Sequence, residues 1–121
     1  MTINLGGSVV KVLVADTPGH QVQGLSGRRD LGKDGGMLFI YPSRAQHTMM
    51  MRRMNFPLDI VWVDGQTIVD LAQNLPPDPA TSEDQLFPYQ ARAFSTLVIE
   101  LPAGFVANHG IKLGDIVRFV R

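Results

Sequence analysis

The sequence predicts a β-rich α+β fold: a single domain over residues 1–121 with a curved or barrel-like, mostly antiparallel sheet and about two short helices. Three observations lead there. Asp64-Gly65, between runs of β-branched and aromatic residues, is the strongest hairpin signal in the chain. Twelve Gly and eight Pro, spread along the chain, suit many short strands joined by tight turns. The remaining apolar runs are short and extended in character, and only two stretches carry helix signals.

Taken in order, Ser8–Ala15 is rich in Val and reads as a strand. Asp16-Thr17-Pro18 starts a helix, with Thr17 as N-cap and Pro18 at the first helical position. The expected helix runs to about Ser26, turns Val22 and Leu25 inward and ends at Gly27. Residues 32–36 read as a loop. Residues 37–41 form an apolar strand closed by Pro42, which cannot donate to a ladder. Residues 47–54 read as a strand with Met50, Arg52 and Met54 on one face, and His47, Met49, Met51 and Arg53 on the other. Residues 58–63 begin the central hairpin.

A two-residue type I′ turn at Asp64-Gly65 has positive φ at both residues and pairs Val63 with Gln66 and Trp62 with Thr67. It gathers Leu58, Ile60, Trp62, Val69 and Leu71 on one apolar face and sets Asp59 opposite Asp70. Like charges in that position repel, so a nearby arginine is expected to compensate them, with Arg53 as partner and Arg52 left for a ligand. The acidic, Pro-rich stretch after Leu75, through residues 76–89, reads as an exposed loop, open to proteolysis. Residues 93–101 alternate as a strand. Residues 102–109 suggest a short helix with Gly110 at C′, and residues 116–120 a last strand.

Several spaced features together resemble one family. They are Val14-Ala-Asp-Thr-Pro, Gln23-Gly-Leu-Ser-Gly-Arg, Gly36-Met-Leu-Phe, Met51-Arg with Pro57-Leu-Asp, Glu100-Leu-Pro-Ala-Gly, and Gly110-Ile-Lys-Leu-Gly-Asp. The chain is similar over residues 11–117 to the prokaryotic domain of unknown function number 192. The resemblance implies a compact, β-rich single domain, often exported, with no established activity. The family's Trp-Met-Lys-Asn-Thr stands here as Met50-Met51-Arg52-Arg53-Met54, and the cysteines some members carry in the Pro-rich loop are absent. The Gly110–Val117 ending also resembles the Gly-Asp turn of cradle-loop barrels.

Composition narrows the function classes. Formal net charge is zero, against the basic balance of a nucleic-acid binder. There is no Cys, which excludes disulfides, thiol catalysis and cysteine-ligated metal. No apolar run reaches the roughly 18 residues of a membrane helix, and the N-terminus has no signal-peptide pattern. The chain reads as cytoplasmic as written, or as the mature form of an exported protein. Three scattered histidines lack zinc-ligand spacing. Neither a nucleophile elbow nor a P-loop is present, so no cofactor or metal is implied.

The best chemical lead is the arginines. Guanidinium forks bind carboxylates and phosphates bidentately, and Arg28, Arg52 and Arg53, joined by His47 and Arg44, are the ligand-binding candidates. The function expected is a non-enzymatic binding module for a small anionic ligand or an acidic peptide. Two other classes stay open. One is a hydrolase-type or metal-dependent enzyme using Asp59 and Asp70 as its catalytic pair. The other is a partner-docking protein with a Met and aromatic surface. The Met run itself, with His47, also suits a soft metal such as Cu(I), or simply adaptable core filling.

Overall fold

The computed structural model describes residues 1–31 and 35–120; most of the loop expected at 32–36 lies outside them. Strands β1 (Thr2–Leu5) and β2 (Ser8–Ala15) form an N-terminal hairpin. Helix α1 (Pro18–Gln23) then carries the chain to β3 (Gly36–Ala45), which runs parallel to β2. Antiparallel pairing resumes with β5 (Leu58–Asp64), β6 (Thr67–Leu75) and β8 (Ser95–Pro102). Helix α2 (Phe105–Asn108) and β9 (Val117–Val120) complete a seven-stranded sheet of order β6-β5-β8-β3-β2-β1-β9. The short strands β4 (Thr48–Met49) and β7 (Tyr89–Gln90) make a separate ribbon.

The sheet curls until its edges meet. Thr67 bridges Ile116, and the Val117 N–H donates to the Gln66 carbonyl at 2.7 Å. Alternation along the strands then produces two cores, one on each face. On β8, Leu97, Ile99 and Leu101 point into the curl, where they meet Ile3, Val61 and Val106 of α2. Val98 points outward to Phe39, Met51, Leu58, Ile60 and Trp62, beneath α1 and the loops. Because β5 is covered on both faces, Leu58 to Val63 are all buried, and apart from Asp59 the sequence there runs apolar without the usual polar alternation.

The single domain, the curved sheet and the two short helices are as the sequence predicts. Local register is not. Asp64 pairs with Thr67, so the turn residues are Gly65 and Gln66, and only Gly65 has positive φ (65°). Glycine in the first central position is a different hairpin solution from type I′. A bulge after Val63–Ile68 then sets Asp70 opposite Trp62 and Leu71 opposite Val61. Leu71 therefore packs on the inner core rather than beside Trp62. Asp59 stands opposite Leu101, not Asp70.

The strand expected at 47–54 is also shorter. After β4 the chain turns, Arg53 takes φ 51°, and the Met54 N–H reaches the Met51 carbonyl at 3.4 Å. A turn lets Met51 and Met54, three apart, both enter the outer core, which strict alternation would forbid. Helix α1 stops three residues early, at Gly24 (φ 50°, ψ −131°), and leaves Val22 exposed. Thr17 caps α1 as expected, its hydroxyl accepting the His20 N–H at 3.2 Å. In the Pro-rich loop, residues 81–85 are exposed and a single 3₁₀ turn spans Glu83–Gln85, while Leu86 is buried.

Candidate functional site

Where α1 ends, the chain stitches itself onto the turn after β4. The Ser26 hydroxyl donates to the Arg52 carbonyl at 2.5 Å. The Gly27 N–H donates to the Arg53 carbonyl at 2.9 Å, and the Asn55 side-chain amide to the Arg28 carbonyl at 2.8 Å. Gln21 pins α1 from the other side, donating to Ile40 O at 2.6 Å. Between this lid and the outer face of the sheet lies a cavity of about 290 Å³. Its walls include Gln21, Gly24, Phe39, Tyr41, Met49 and Met54; Arg52 borders it, and Glu100 of β8 completes the lining.

Glu100 is the unusual group. It is only 3% exposed and its carboxyl has no hydrogen bond or ion pair among the described residues, where no fully buried side-chain oxygen lacks a partner; its oxygens therefore open onto the cavity. Burial pushes its pKa up from 4.5 to about 8. Burial, and then the neighbouring Glu100 carboxyl, raise Tyr41 to about 12. The Tyr41 hydroxyl donates to Met49 Sδ at 3.5 Å, and its ring stacks on His47 with centroids 3.9 Å apart.

Arg52 holds the cavity's edge. Its fork is bidentate to Glu83 of the Pro-rich loop, with Nη2 to Oε2 at 2.6 Å, while Nη1 donates to Val22 O at 2.7 Å. The pairing raises the Arg52 pKa and lowers that of Glu83. Arg52 and Arg53 both line a shallower depression that adjoins the cavity and shares Pro18, Val22 and Ser26 with it.

The sequence-predicted residues divide accordingly. Arg28, Arg52 and Arg53 are brought onto two loops that bond to each other, and Arg28 and Arg53 are exposed. His47 stands behind Tyr41, its Nε2 3.0 Å from Ser43 O. Arg44 lies elsewhere, paired with Asp64 at 2.9 Å. Asp59 and Asp70 do not form a pair. Asp59 accepts from Asn74 N at 2.8 Å and from Val106 N at 2.9 Å, tying β6 and the start of α2 to β5. Asp70 accepts from the backbone and the guanidinium of Arg92. Burial alone would raise its pKa, but the Arg92 contacts hold it below the usual carboxylate value. Arg92, not Arg53, is therefore the compensating cation. Among the described residues no cluster of three potential metal ligands exists, and no helix is long and apolar enough to cross a membrane.

Sequence reasoning missed Glu100 as a site residue. The available signal was a lone carboxylate in the otherwise apolar run Leu97 to Leu101, a residue type that is rarely buried without a partner.

Two solved structures share this fold. A protein of unknown function from Novosphingobium aromaticivorans is 30% identical, with a TM-score of 0.86 over 98% of this chain and 84% of that one. A candidate transcription regulator from Sinorhizobium meliloti is 27% identical, with a TM-score of 0.82 over 97% of this chain and 89% of that one. No curated protein matches the chain. The DUF192 family, described as an uncharacterized ACR, matches residues 1–119. With nearly its whole length matched and the fold shared, the chain belongs to the DUF192 family.

Proposed function

We propose that this protein is a non-enzymatic binding module for a small ligand seated in the cavity beside Glu100, with Arg52 and Arg53 offering its mouth to an anionic group. The observation that carries this reading is a partly open cavity of about 290 Å³ bordered by a guanidinium fork. That volume lies at the small end for ligand pockets, which favours a small molecule over an extended acidic peptide. A binding role is favoured over catalysis because Asp59 and Asp70 are each committed to structural hydrogen bonds on different strands.

Arg52 is engaged by Glu83, whose side chain is 65% exposed. An incoming carboxylate or phosphate replaces Glu83 on the fork, or joins Arg53 beside it. The reading is tested by titrating the protein with butyrate, phosphate, citrate and an acidic peptide. Arg52→Ala is expected to weaken binding of the preferred anion by about tenfold or more, and Glu83→Ala to strengthen it. Wild-type protein that binds none of these, or anion binding indifferent to Arg52, Arg53 and Glu83, sinks the reading.

A further inference from the structure

We infer that the Glu100 end of the cavity recognises an ammonium group, so that the ligand is a small amine, amino-acid-like when its anionic end reaches Arg52. This rests on the binding-module reading above and adds the chemistry of the inner end.

The argument starts from the unpartnered carboxyl. A buried polar group without a hydrogen bond is costly, and a buried unpaired charge more so. Glu100 has neither partner nor counter-ion among the described residues, and it lies on the cavity's boundary. Among the described residues nothing else in the lining neutralises it. Helix α1 contributes only Pro18, Gln21, Val22 and Gln23, and β4 only Thr48 and Met49. The other titratable groups in the lining are Tyr41 on β3, backed by His47, and Arg52 on the turn, itself paired with Glu83. A neutral ligand leaves the carboxyl in its protonated form, whereas an ammonium supplies the charge and the donors that its ionised form needs. The remaining walls suit one: Phe39 and Tyr41 are stacked with centroids 6.4 Å apart, and the thioethers of Met49 and Met54 are polarizable.

The proton balance gives a signature. With Glu100 raised to about 8, its carboxyl is mostly protonated at neutral pH. Binding an alkylammonium converts the carboxylic acid into a carboxylate–ammonium pair and releases one proton to solvent. Amine affinity therefore rises with pH, by up to tenfold per unit, until the free carboxyl is itself ionised.

The test is calorimetric titration of the whole chain with butyrate, butylamine and γ-aminobutyrate, at about pH 6.5, in two buffers of different ionisation heat. Butylamine and γ-aminobutyrate are expected to release close to one proton, and butyrate none. Glu100→Gln, checked for folding by its melting curve, is expected to abolish the proton release and to weaken both amines by about tenfold or more, and by more than it changes butyrate. Butyrate binding without any gain or proton release from an amine overturns this inference and leaves the anion-binding reading standing. Amine binding that Glu100→Gln does not affect overturns it as well. Binding of none of the three overturns this inference, while the anion-binding reading stands or falls on phosphate, citrate and the acidic peptide.

Discussion

Gly24 stands against Glu100: a side-chain carbon on Gly24 would lie 3.8 Å from Glu100 Oε1 and 3.3 Å from Phe39 Cζ. The end of α1 can therefore close over the sheet and still leave space above the carboxyl. Its φ of 50° and ψ of −131° add a backbone demand that side-chain-bearing residues meet only with strain. Gly24→Ala is expected to cost about 1–3 kcal/mol in denaturant unfolding. It also narrows the cavity and lowers butylamine affinity. Wild-type stability and affinity in this variant would place the cavity wall elsewhere.

Glu100 gives stability an unusual pH dependence. Its folded pKa, about 8, lies above the unfolded value of 4.5, so between these limits the folded state holds a proton that the unfolded state has lost. Its stabilising contribution is therefore complete below the unfolded value and declines as pH rises toward 8, at up to about 1.4 kcal/mol per pH unit. Asp70, held low by Arg92, acts in the opposite sense and withdraws stability as pH falls through its own lowered value. Melting curves at a series of pH values should show wild type losing stability relative to Glu100→Gln as pH rises through that window. Parallel curves for the two proteins would contradict the burial of an unpartnered carboxyl.

Two arginines differ in what they support. Arg92 satisfies three of the hydrogen bonds to buried Asp70, one of them through its backbone N–H. Arg92→Ala removes the guanidinium from a buried carboxylate and is expected to destabilise the fold. Arg53 is exposed and contacts neither aspartate, so Arg53→Ala should change stability by no more than about 0.5 kcal/mol. Urea unfolding of the two variants distinguishes them, and a reversed order would restore Arg53 as the structural partner.

Trp62 anchors the outer core. It is 1% exposed, and its indole N–H donates to the His47 carbonyl at 3.0 Å, linking β5 to the β4 ribbon. Trp62→Ala is expected to cost about 3–5 kcal/mol, and native fluorescence should be blue-shifted from that of free indole in water.

The architecture was legible because it rests on period and punctuation. Ser8–Ala15 appears with the bounds that its Val-rich pattern suggests, and Gly110 takes the positive φ (63°) expected just past a helix. What failed were features set by tertiary contact. The β6 bulge moved Asp70 across from Trp62, and nothing local in residues 66–70 marks it. Met51 and Met54 made a turn because the outer core accepts both. The Arg cluster was visible as a motif. Glu100 was not, since only the fold shows that its strand face is roofed by the end of α1 and that no counter-ion faces it among the described residues. The first strand, β1, and the β4–β7 ribbon are too short to show a period.

The central claim is that Glu100 is an unpaired carboxyl waiting for a ligand's ammonium group, and the most direct measurement is its own titration. The side-chain carboxyl carbon of Glu100, followed by ¹³C NMR with Glu100→Gln as the assignment control, is expected to titrate near 8 in the free protein. With saturating γ-aminobutyrate the midpoint should fall toward the ordinary carboxylate range, because the ammonium favours the charged form. A free-protein midpoint near the ordinary 4.5, or one that the amine leaves unmoved, would contradict the account.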